Sequence, residues 1–267
     1  MKKLFFIGSG KMATAIAGGL ISSGTFSADE LGAFDPSSAA AECFQTITGI
    51  KVISDDPASG ISDAEAILVA VKPQMIVSAL SPYKELLKDK LLISIAAGVS
   101  IDKLQEISGC RKVVRVMPNT PALVGKGAAA YASSEKAGDA DEKLAEKIFS
   151  SVGIALKMRE CDLDAVTALS GSGPAYVFEF IQALADGGVA EGLSRDAALM
   201  LAVQTVIGAA EMVVRTGEHP AGLKDKVTSP AGTTSRALEE LESRSFTGTV
   251  IKAVRAAAAR SRELGKC

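Results

Sequence analysis

The sequence predicts an α/β fold in which a sheet domain that binds a dinucleotide is followed by an all-helical region. A strand, a glycine turn and a helix open the chain, strands and helices then alternate, and strand signals stop after about residue 160. We therefore expect a dinucleotide-binding domain over residues 1–161 and a helical domain over residues 162–267.

The opening segment, IGSGKMA, has the pattern of a phosphate-binding turn between a strand and a helix. Gly8 allows a tight turn, Gly10 lets the backbone approach a pyrophosphate, and Ala13 is small enough for the helix to pack on the strand. The free N–H groups at the helix start favour phosphates. This segment predicts a nucleotide site.

The alternation over the first half has the spacing of a parallel sheet. The runs AILVAV and LLISIA are continuously apolar, as in strands that are covered on both faces. We predict strands near residues 3–7, 31–34, 52–53, 66–71, 91–95, 112–116, 128–132 and 155–158, and helices in the gaps, including 12–22 and 140–151.

Composition excludes several classes of function. With 48% hydrophobic residues, 22% charged residues and a net charge of -2, the chain has no basic character for nucleic acid or an anionic membrane. The sole histidine, His219, excludes a multi-histidine metal site, so no metal is predicted. The cysteines have no metal-binding spacing, and no cationic leader precedes an apolar segment, so we expect a cytoplasmic protein; they are Cys43, Cys110, Cys161 and Cys267.

Residues 197–214 form an apolar stretch long enough to raise the question of a membrane span. Gln204, Thr205 and Glu211 interrupt it, and Arg195 and Arg215 bound it. We interpret it as a helix of a soluble protein that is apolar nearly all round. Because so small a helical domain cannot surround it, we expect a homo-oligomer.

The second predicted strand ends at Asp35, where dinucleotide folds meet the adenosine ribose. A carboxylate there accepts hydrogen bonds from the 2′-hydroxyl and repels a 2′-phosphate, and no cation occurs between Lys11 and Lys51. This favours NAD, although Ser37 and Ser38 offer hydroxyl groups to a phosphate, so the cofactor is NADP or NAD. An Asp before Pro in a loop is also common turn chemistry. The fourth and fifth strands deliver residues 70–73 and 96–98 to the same edge, where Lys72 is either a surface lysine or a ligand contact.

Three further clusters of small residues stand out: MPNTP at 117–121, LSGSGPAY at 169–176 and VTSPAGTT at 227–234. The first is too constrained to be a mere linker. The other two open helices with unobstructed N–H and hydroxyl groups, which suit a carboxylate or phosphate but equally suit ordinary helix capping.

Taken together, these motifs resemble the pyrroline-5-carboxylate reductase family over essentially the whole chain. IGSGKMA, LVAVKP, SIAAGVS, RVMPNTPA, LSGSGPAY, DGGV and LKDKVTSPAGTT all occur in family order and spacing. The resemblance implies an N-terminal Rossmann domain and an all-helical C-terminal dimerisation and substrate-binding domain that interleaves with its twofold mate. It implies a homodimer, with higher assembly of dimers in the family. The implied reaction is hydride transfer from NAD(P)H to the C=N bond of 1-pyrroline-5-carboxylate, giving L-proline in the last step of proline biosynthesis.

The resemblance also assigns site residues. Its cofactor contacts fall on Ile7, Gly8, Ser9, Gly10, Lys11, Met12, Asp35, Ser37, Ala70, Val71, Lys72, Pro73, Ala96 and Ala97. Its substrate contacts fall on Ser172, Glu218, Val227, Gly232, Thr233 and Thr234. Backbone amides at 232–234 would hold the substrate carboxylate, and the Thr234 hydroxyl, the catalytic candidate, would hydrogen-bond the ring nitrogen.

The chain departs from the family pattern at two positions. Pro57 stands where members often carry an adenosine-facing Asn, which puts the adenine contact in doubt. Ala231 replaces the first Gly of the usual SPGGTT, and we expect the added methyl group to cost little.

Two other functions stay open at this stage. An enzyme like the β-hydroxyacid dehydrogenases would need a lysine on the first long helix of the second domain, and residues 162–193 contain none. A non-catalytic nucleotide sensor would need a partner module, yet the helical half has 11 Lys and Arg against 13 Asp and Glu and no basic face.

Overall fold

The computed structural model describes residues 2–265. These residues form two compact units, one made of residues 2–172 together with 256–265, the other of Gly173–Arg255. The first contains the sheet and the second is helical.

The first unit is built on an eight-stranded sheet with the order β3-β2-β1-β4-β5-β6-β7-β8. The strands are β1 (Lys2–Ile7), β2 (Leu31–Phe34), β3 (Val52–Ile53), β4 (Ala64–Val69), β5 (Leu91–Ser94), β6 (Lys112–Met117), β7 (Gly127–Ser133) and β8 (Gly153–Lys157). Each lies within two residues of its predicted position. The first six run parallel, and β1 lies at the centre of the dinucleotide-binding half.

The prediction of a wholly parallel sheet is wrong for β7, which pairs with β6 in the antiparallel sense. Only a 3-10 turn at Thr120–Val124 separates these two strands, and a parallel return would need a longer crossover. β8 is again parallel to β7, because a full helix joins them.

Helices cover both faces of this sheet and make up the second unit. They are α1 (Lys11–Ser22), α2 (Ser38–Thr48), α3 (Ala58–Asp63), α4 (Ile76–Leu80), α5 (Lys84–Leu87), α6 (Ile101–Ser108), α7 (Asp139–Ser150), α8 (Leu163–Val166), α9 (Gly173–Ala190), α10 (Arg195–Thr216), α11 (Pro220–Lys226), α12 (Thr233–Ser243) and α13 (Phe246–Leu264). Short 3-10 turns lie at Ala28–Glu30, Pro73–Met75, Ser81–Tyr83, Thr120–Val124 and Glu160–Asp162, and one π-helical turn lies at Thr167–Gly171.

The core of the first unit consists of two apolar layers, one on each face of the sheet. Along β1, Leu4 and Phe6 belong to one layer, whereas Phe5 and Ile7 belong to the other. All four are fully buried, which at about 1.5–3 kcal/mol for each large apolar side chain makes β1 a major source of stability. The continuously apolar strands are thus covered on both faces, as predicted.

The compact units do not follow the predicted division between residues 161 and 162. Leu163 is fully buried in the same layer as Phe5 and Ile7, which groups α8 with the sheet. The end of α13 also belongs to this unit, since the Ser261 hydroxyl donates to Asp164 Oδ1 at 2.6 Å.

The second unit has very little core of its own. Its buried cluster consists of Ala185, Ala198 and Ala202, where α9 and α10 pack together. Large apolar side chains of α10 are exposed, among them Met200 at 69% and Val214 at 78%. Among the described helices, α10 alone is long and apolar enough to cross a membrane, judged by length and composition. The sequence expectation of a helix that is apolar nearly all round is confirmed.

Candidate active site

The residues predicted to contact the dinucleotide follow strands that are neighbours in the sheet. Ile7, at the end of β1, pairs with Phe34 of β2 on one side and with Val69 of β4 on the other. Val69 in turn pairs with Ser94 of β5. The structure therefore brings residues 7–12, 35–37, 70–73 and 96–97 to one edge, the edge at which open parallel sheets bind ligands.

The glycine turn has the geometry that a phosphate cradle requires. Gly8 has a φ of +98°, its N–H donates to the Phe34 carbonyl at 2.8 Å, and an added Cβ would lie 2.9 Å from the Ala70 carbonyl oxygen. A Cβ on Gly10 would meet nothing within 4 Å. Gly10 is also the N-cap of α1 and offers no side-chain cap. The space above Gly10 is therefore open to a ligand, and the first N–H groups of α1 are available to it.

Asp35 ties this turn to the second strand, a contact that the sequence analysis missed. Its Oδ2 accepts from the Ser9 N–H at 2.8 Å and from the Ser9 hydroxyl at 3.0 Å, and its Oδ1 accepts from the Ser37 N–H at 2.9 Å. The bond to Ser37 is an Asx turn, which the Asp-Pro-Ser sequence could have indicated. The bonds to Ser9 connect residues 26 positions apart and leave no local signal.

A cavity of about 900 Å³ lies in the first unit beside this edge. Pro73, Ala97 and Ser172 line it together with apolar side chains, which include Ile76, Val99, Ile107 and Leu264. A concave, mainly apolar space with a few polar groups is typical of small-ligand sites. It brings two predicted cofactor residues and one predicted substrate residue to the same cavity.

The two cations of the cavity lining are each paired with an acid one turn away. Lys103 Nζ lies 2.8 Å from Glu106, and Arg260 Nη1 lies 2.8 Å from Glu263. The lining therefore carries little net charge.

Ser172 ends the π-helical turn at Thr167–Gly171. Its N–H donates to the Thr167 carbonyl at 2.8 Å, a bond that spans five residues. Such turns are rare and frequent at functional sites. Ser172 belongs to the first unit, whereas the other predicted substrate residues belong to the second.

In the second unit, the Ser229–Thr234 segment leads directly into α12. The Gly232 N–H donates to the Ser229 carbonyl at 3.1 Å, and a Cβ on Gly232 would lie 2.3 Å from Ser229 Oγ. Gly232 caps α12 without a side-chain bond, so the N–H groups of Thr233 and Thr234 face outward from the helix start. Among the residues that the structure describes, the Thr234 hydroxyl has no hydrogen-bond partner.

Two predicted substrate residues, Glu218 and Val227, flank α11. Glu218 precedes α11, and its carboxylate accepts two bonds from Lys226 Nζ, at 2.6 and 2.8 Å. Val227, the residue after α11, is exposed. The ion pair between Glu218 and Lys226 therefore brings Glu218 close to the turn that starts at Val227.

The expectation that Ala231 costs little is wrong. Ala231 has a φ of +54°, in the left-handed region that glycine adopts freely. A residue with a Cβ therefore costs on the order of 1–2 kcal/mol of conformational energy at this position. Pro57, the other departure, is buried at the start of α3 and has no amide group to offer to an adenine.

The described residues contain no group of three or more His, Cys, Asp or Glu side chains placed to hold a metal ion. His219 caps α11, its Nδ1 accepting from the Ala221 N–H at 3.2 Å. Burial raises the pKa of the Cys110 thiol to about 11, and the thiol donates to the Leu87 carbonyl, so Cys110 is no nucleophile at neutral pH.

Comparisons with known proteins show what this chain is similar to. A model of the family described as "Pyrroline-5-carboxylate reductase dimerisation" matches residues 160–264, and one described as "NADP oxidoreductase coenzyme F420-dependent" matches residues 3–98. The chain is 46% identical to a pyrroline-5-carboxylate reductase of Arabidopsis thaliana, over 99% of this chain and 96% of the relative.

Two solved structures are similar over nearly the full length. One is pyrroline carboxylate reductase of Plasmodium falciparum with NADP bound, at a TM-score of 0.88 and 39% identity over 99% of this chain and 98% of that one. The other is a pyrroline-5-carboxylate reductase from Coxiella burnetii, at a TM-score of 0.93 and 35% identity over 98% of both chains.

Proposed function

We propose that this chain, which belongs to the pyrroline-5-carboxylate reductase family, reduces the C=N bond of 1-pyrroline-5-carboxylate to give L-proline, the last step of proline biosynthesis. The chain is an NAD(P)H-dependent oxidoreductase with an N-terminal Rossmann domain. The observation that carries the proposal is the cavity at the carboxyl edge of the sheet, which is lined by both Ala97 and Ser172.

The residues at this edge fit an NAD(P) cofactor. Gly8 admits no side chain, Gly10 has open space above it, and α1 begins without a side-chain cap. These features suit a pyrophosphate, which the N–H groups of residues 11–13 would hold. When bound there, the cofactor supplies a hydride.

The substrate needs little proton chemistry from the protein, because a protonated ring C=N bond is already an electrophile. The N–H groups of Thr233 and Thr234 at the start of α12 would hold the carboxylate, and the Thr234 hydroxyl would hydrogen-bond the ring nitrogen. Hydride adds to the ring carbon, the π pair of the C=N bond becomes the lone pair of the nitrogen, and the nitrogen keeps its proton, so the product is the cyclic secondary amine. Positioning the two reactants against each other contributes several kcal/mol to catalysis in reactions of this kind.

The proposal includes a cytoplasmic homodimer that associates through the second unit, with further assembly of dimers. The family model for dimerisation matches residues 160–264, and the second unit exposes large apolar side chains. The cytoplasmic location is supported by the exposed free thiols of Cys43 and Cys161, which suit a reducing compartment.

The primary experiment measures oxidation of NADH and NADPH by the purified chain with 1-pyrroline-5-carboxylate, and proline formation by chromatography. Stoichiometric proline would support the proposal. Reduction of NAD⁺ or NADP⁺ with a β-hydroxyacid, with no turnover of pyrroline-5-carboxylate, would contradict it and favour the alternative dehydrogenase class.

Thr234→Val tests the catalytic assignment, because valine keeps the shape of threonine and removes the hydroxyl. We expect kcat/KM to fall roughly ten- to several-hundredfold, which corresponds to about 1.5–3 kcal/mol for a bond to a charged group, with little change in dinucleotide affinity. Thr46→Val, at an exposed position of α2, is the matched control. Near wild-type kcat/KM in Thr234→Val, or a defect confined to dinucleotide binding, would reject the assignment.

A further inference from the structure

The MPNTP segment after β6 contains a buried asparagine whose side chain joins three parts of the first unit. Asn119 is 8% exposed. Its Oδ1 accepts from the Ala128 N–H at 2.8 Å, and its Nδ2 donates to the Ser170 carbonyl at 3.0 Å. The end of β6, the start of β7 and the π-helical turn therefore meet at one amide group.

The chemistry of these partners suits the amide of an asparagine. The Ala128 N–H can only donate and the Ser170 carbonyl can only accept, so the residue between them must present one acceptor and one donor in opposite directions. A carboxylate could accept from Ala128 but would repel the Ser170 carbonyl. An alkyl side chain would leave both buried backbone groups without this partner.

The bond to Ser170 acts on the segment that carries Ser172. Ser170 lies inside the π-helical turn at Thr167–Gly171, and the N–H of Ser172 closes that turn on Thr167. A second close approach supports this fit, because a Cβ on Gly171 would lie 2.6 Å from Met117 Cε. The end of β6 therefore fixes the turn at two successive residues.

Ser172 lines the cavity that Pro73 and Ala97 also line, at the carboxyl edge of the sheet. A change in the position of Ser170 would displace Ser172 within this cavity. We propose that Asn119 is a positioning residue for catalysis, which sets the place of the Ser172 side chain in this cavity. This proposal rests on the proposed function, in which Ser172 contacts the substrate.

Asn119→Asp tests the proposal with the least disturbance, since the carboxylate keeps the bond to Ala128 and loses the one to Ser170. We expect kcat/KM for pyrroline-5-carboxylate to fall by roughly ten- to a hundredfold, as for a misplaced catalytic group. Dissociation constants of NADH and NADPH, measured by fluorescence titration, should stay within about twofold of wild type, because the glycine turn is untouched. Thr120→Ala, the exposed neighbour in the same segment, is the matched control and should retain wild-type kinetics.

A double-mutant cycle with Ser172→Ala separates positioning from mere stabilisation. If Asn119 acts through Ser172, the double variant should lose little more kcat/KM than Ser172→Ala alone. The cycle of Asn119→Asp with Thr234→Val, on the other unit, should be close to additive. Additive losses in the first cycle would overturn the proposal, as would a loss of thermal stability with unchanged KM and kcat per folded enzyme.

Asn119→Ser provides a second variant in case the carboxylate prevents folding, because it removes the amide and both of its bonds without adding charge. The same fall in kcat/KM is expected. The failure of the proposed function is a separate result. In that case the wild type itself would not oxidise NADH or NADPH with pyrroline-5-carboxylate, whereas failure of the positioning role leaves wild-type turnover intact.

Discussion

The carboxylate of Asp35 holds the glycine turn in place, besides its expected role in cofactor choice. It accepts from Ser9 and Ser37 and so holds the glycine turn against the second strand. Its negative charge lies at the end of β2, where an adenosine ribose is expected. We therefore expect NADH to be used at least as well as NADPH, because the sequence between Lys11 and Lys51 supplies no cation to balance a 2′-phosphate.

Asp35→Ser should shift the ratio of kcat/KM values toward NADPH while weakening both cofactors, since the bonds to Ser9 and Ser37 are lost as well. The measurement is kcat/KM for each cofactor at saturating pyrroline-5-carboxylate. Asp55→Ser, the same change at an exposed position after β3, controls for net charge. A strong NADPH preference of the wild type would show that the ribose argument is wrong.

Ala231 should be a site at which a single substitution stabilises the protein. Glycine at this position relieves a left-handed backbone cost of about 1–2 kcal/mol, which is offset by about 0.4–1 kcal/mol from the greater freedom of the unfolded chain. We expect Ala231→Gly to raise the free energy of unfolding by about 0.5–1 kcal/mol in urea titrations.

Ala237→Gly makes the same chemical change at an exposed position inside α12 and should have the opposite sign. It should destabilise by about 1 kcal/mol, because glycine is unfavourable in a helix interior. If both variants lower stability equally, the strain assigned to Ala231 is absent.

At the scale of elements, Glu142 of α7 connects the two strands at the antiparallel end of the sheet. The Ser133 hydroxyl of β7 donates to its Oε1, and Lys157 Nζ of β8 donates to its Oε2 at 2.7 Å. These bonds hold the pKa of the Glu142 carboxyl below its usual value of 4.5, and the bond from Lys157 has the largest effect. The carboxylate therefore helps to fasten α7 across β7 and β8.

Because the pKa of Glu142 is lower in the folded state than in the unfolded state, its stabilisation is fully present above the unfolded value of 4.5. It is lost as the pH falls through the folded pKa. Glu142→Gln should therefore lower Tm at neutral pH, and its difference from wild type should shrink below pH 4.5. Thermal unfolding as a function of pH measures this. Glu146→Gln, on the exposed side of the same helix, should have little effect, and a difference for Glu142→Gln that persists unchanged in acid would contradict the assignment.

Elements were predictable where local pattern determines them. β2 and β3 have the predicted bounds, because apolar runs between turn signals identify strands. The direction of β7 was not predictable from periodicity, because a strand has the same alternation in either direction. The glycine turn was visible locally, whereas the bonds of Asp35 to Ser9 and of Asn119 to Ser170 join residues far apart in sequence. The same limit applies to the grouping of α8 with the sheet, which depends on the burial of Leu163.

At the scale of the whole molecule, we expect the apolar surface of the second unit to be covered by a partner. Its buried cluster is three alanines, whereas Met200, Ile207 and Val214, spaced seven residues apart along one side of α10, are 69%, 54% and 78% exposed. Exposed apolar stripes of this kind mark interfaces. The match of residues 160–264 to a dimerisation family favours a second copy of the chain, rather than a membrane, as this partner.

Ile207→Asp tests this assembly, since a buried unpaired charge at a subunit interface is strongly destabilising. We expect aggregated protein or an unfolded monomer, together with loss of activity, whereas wild type should be a dimer or a multiple of it by light scattering. Ile47→Asp makes the same change at an isoleucine of α2 that is 63% exposed, and should leave assembly and activity intact. A soluble and active wild-type monomer at assay concentration would contradict the prediction, as would a wild type that requires detergent to remain in solution.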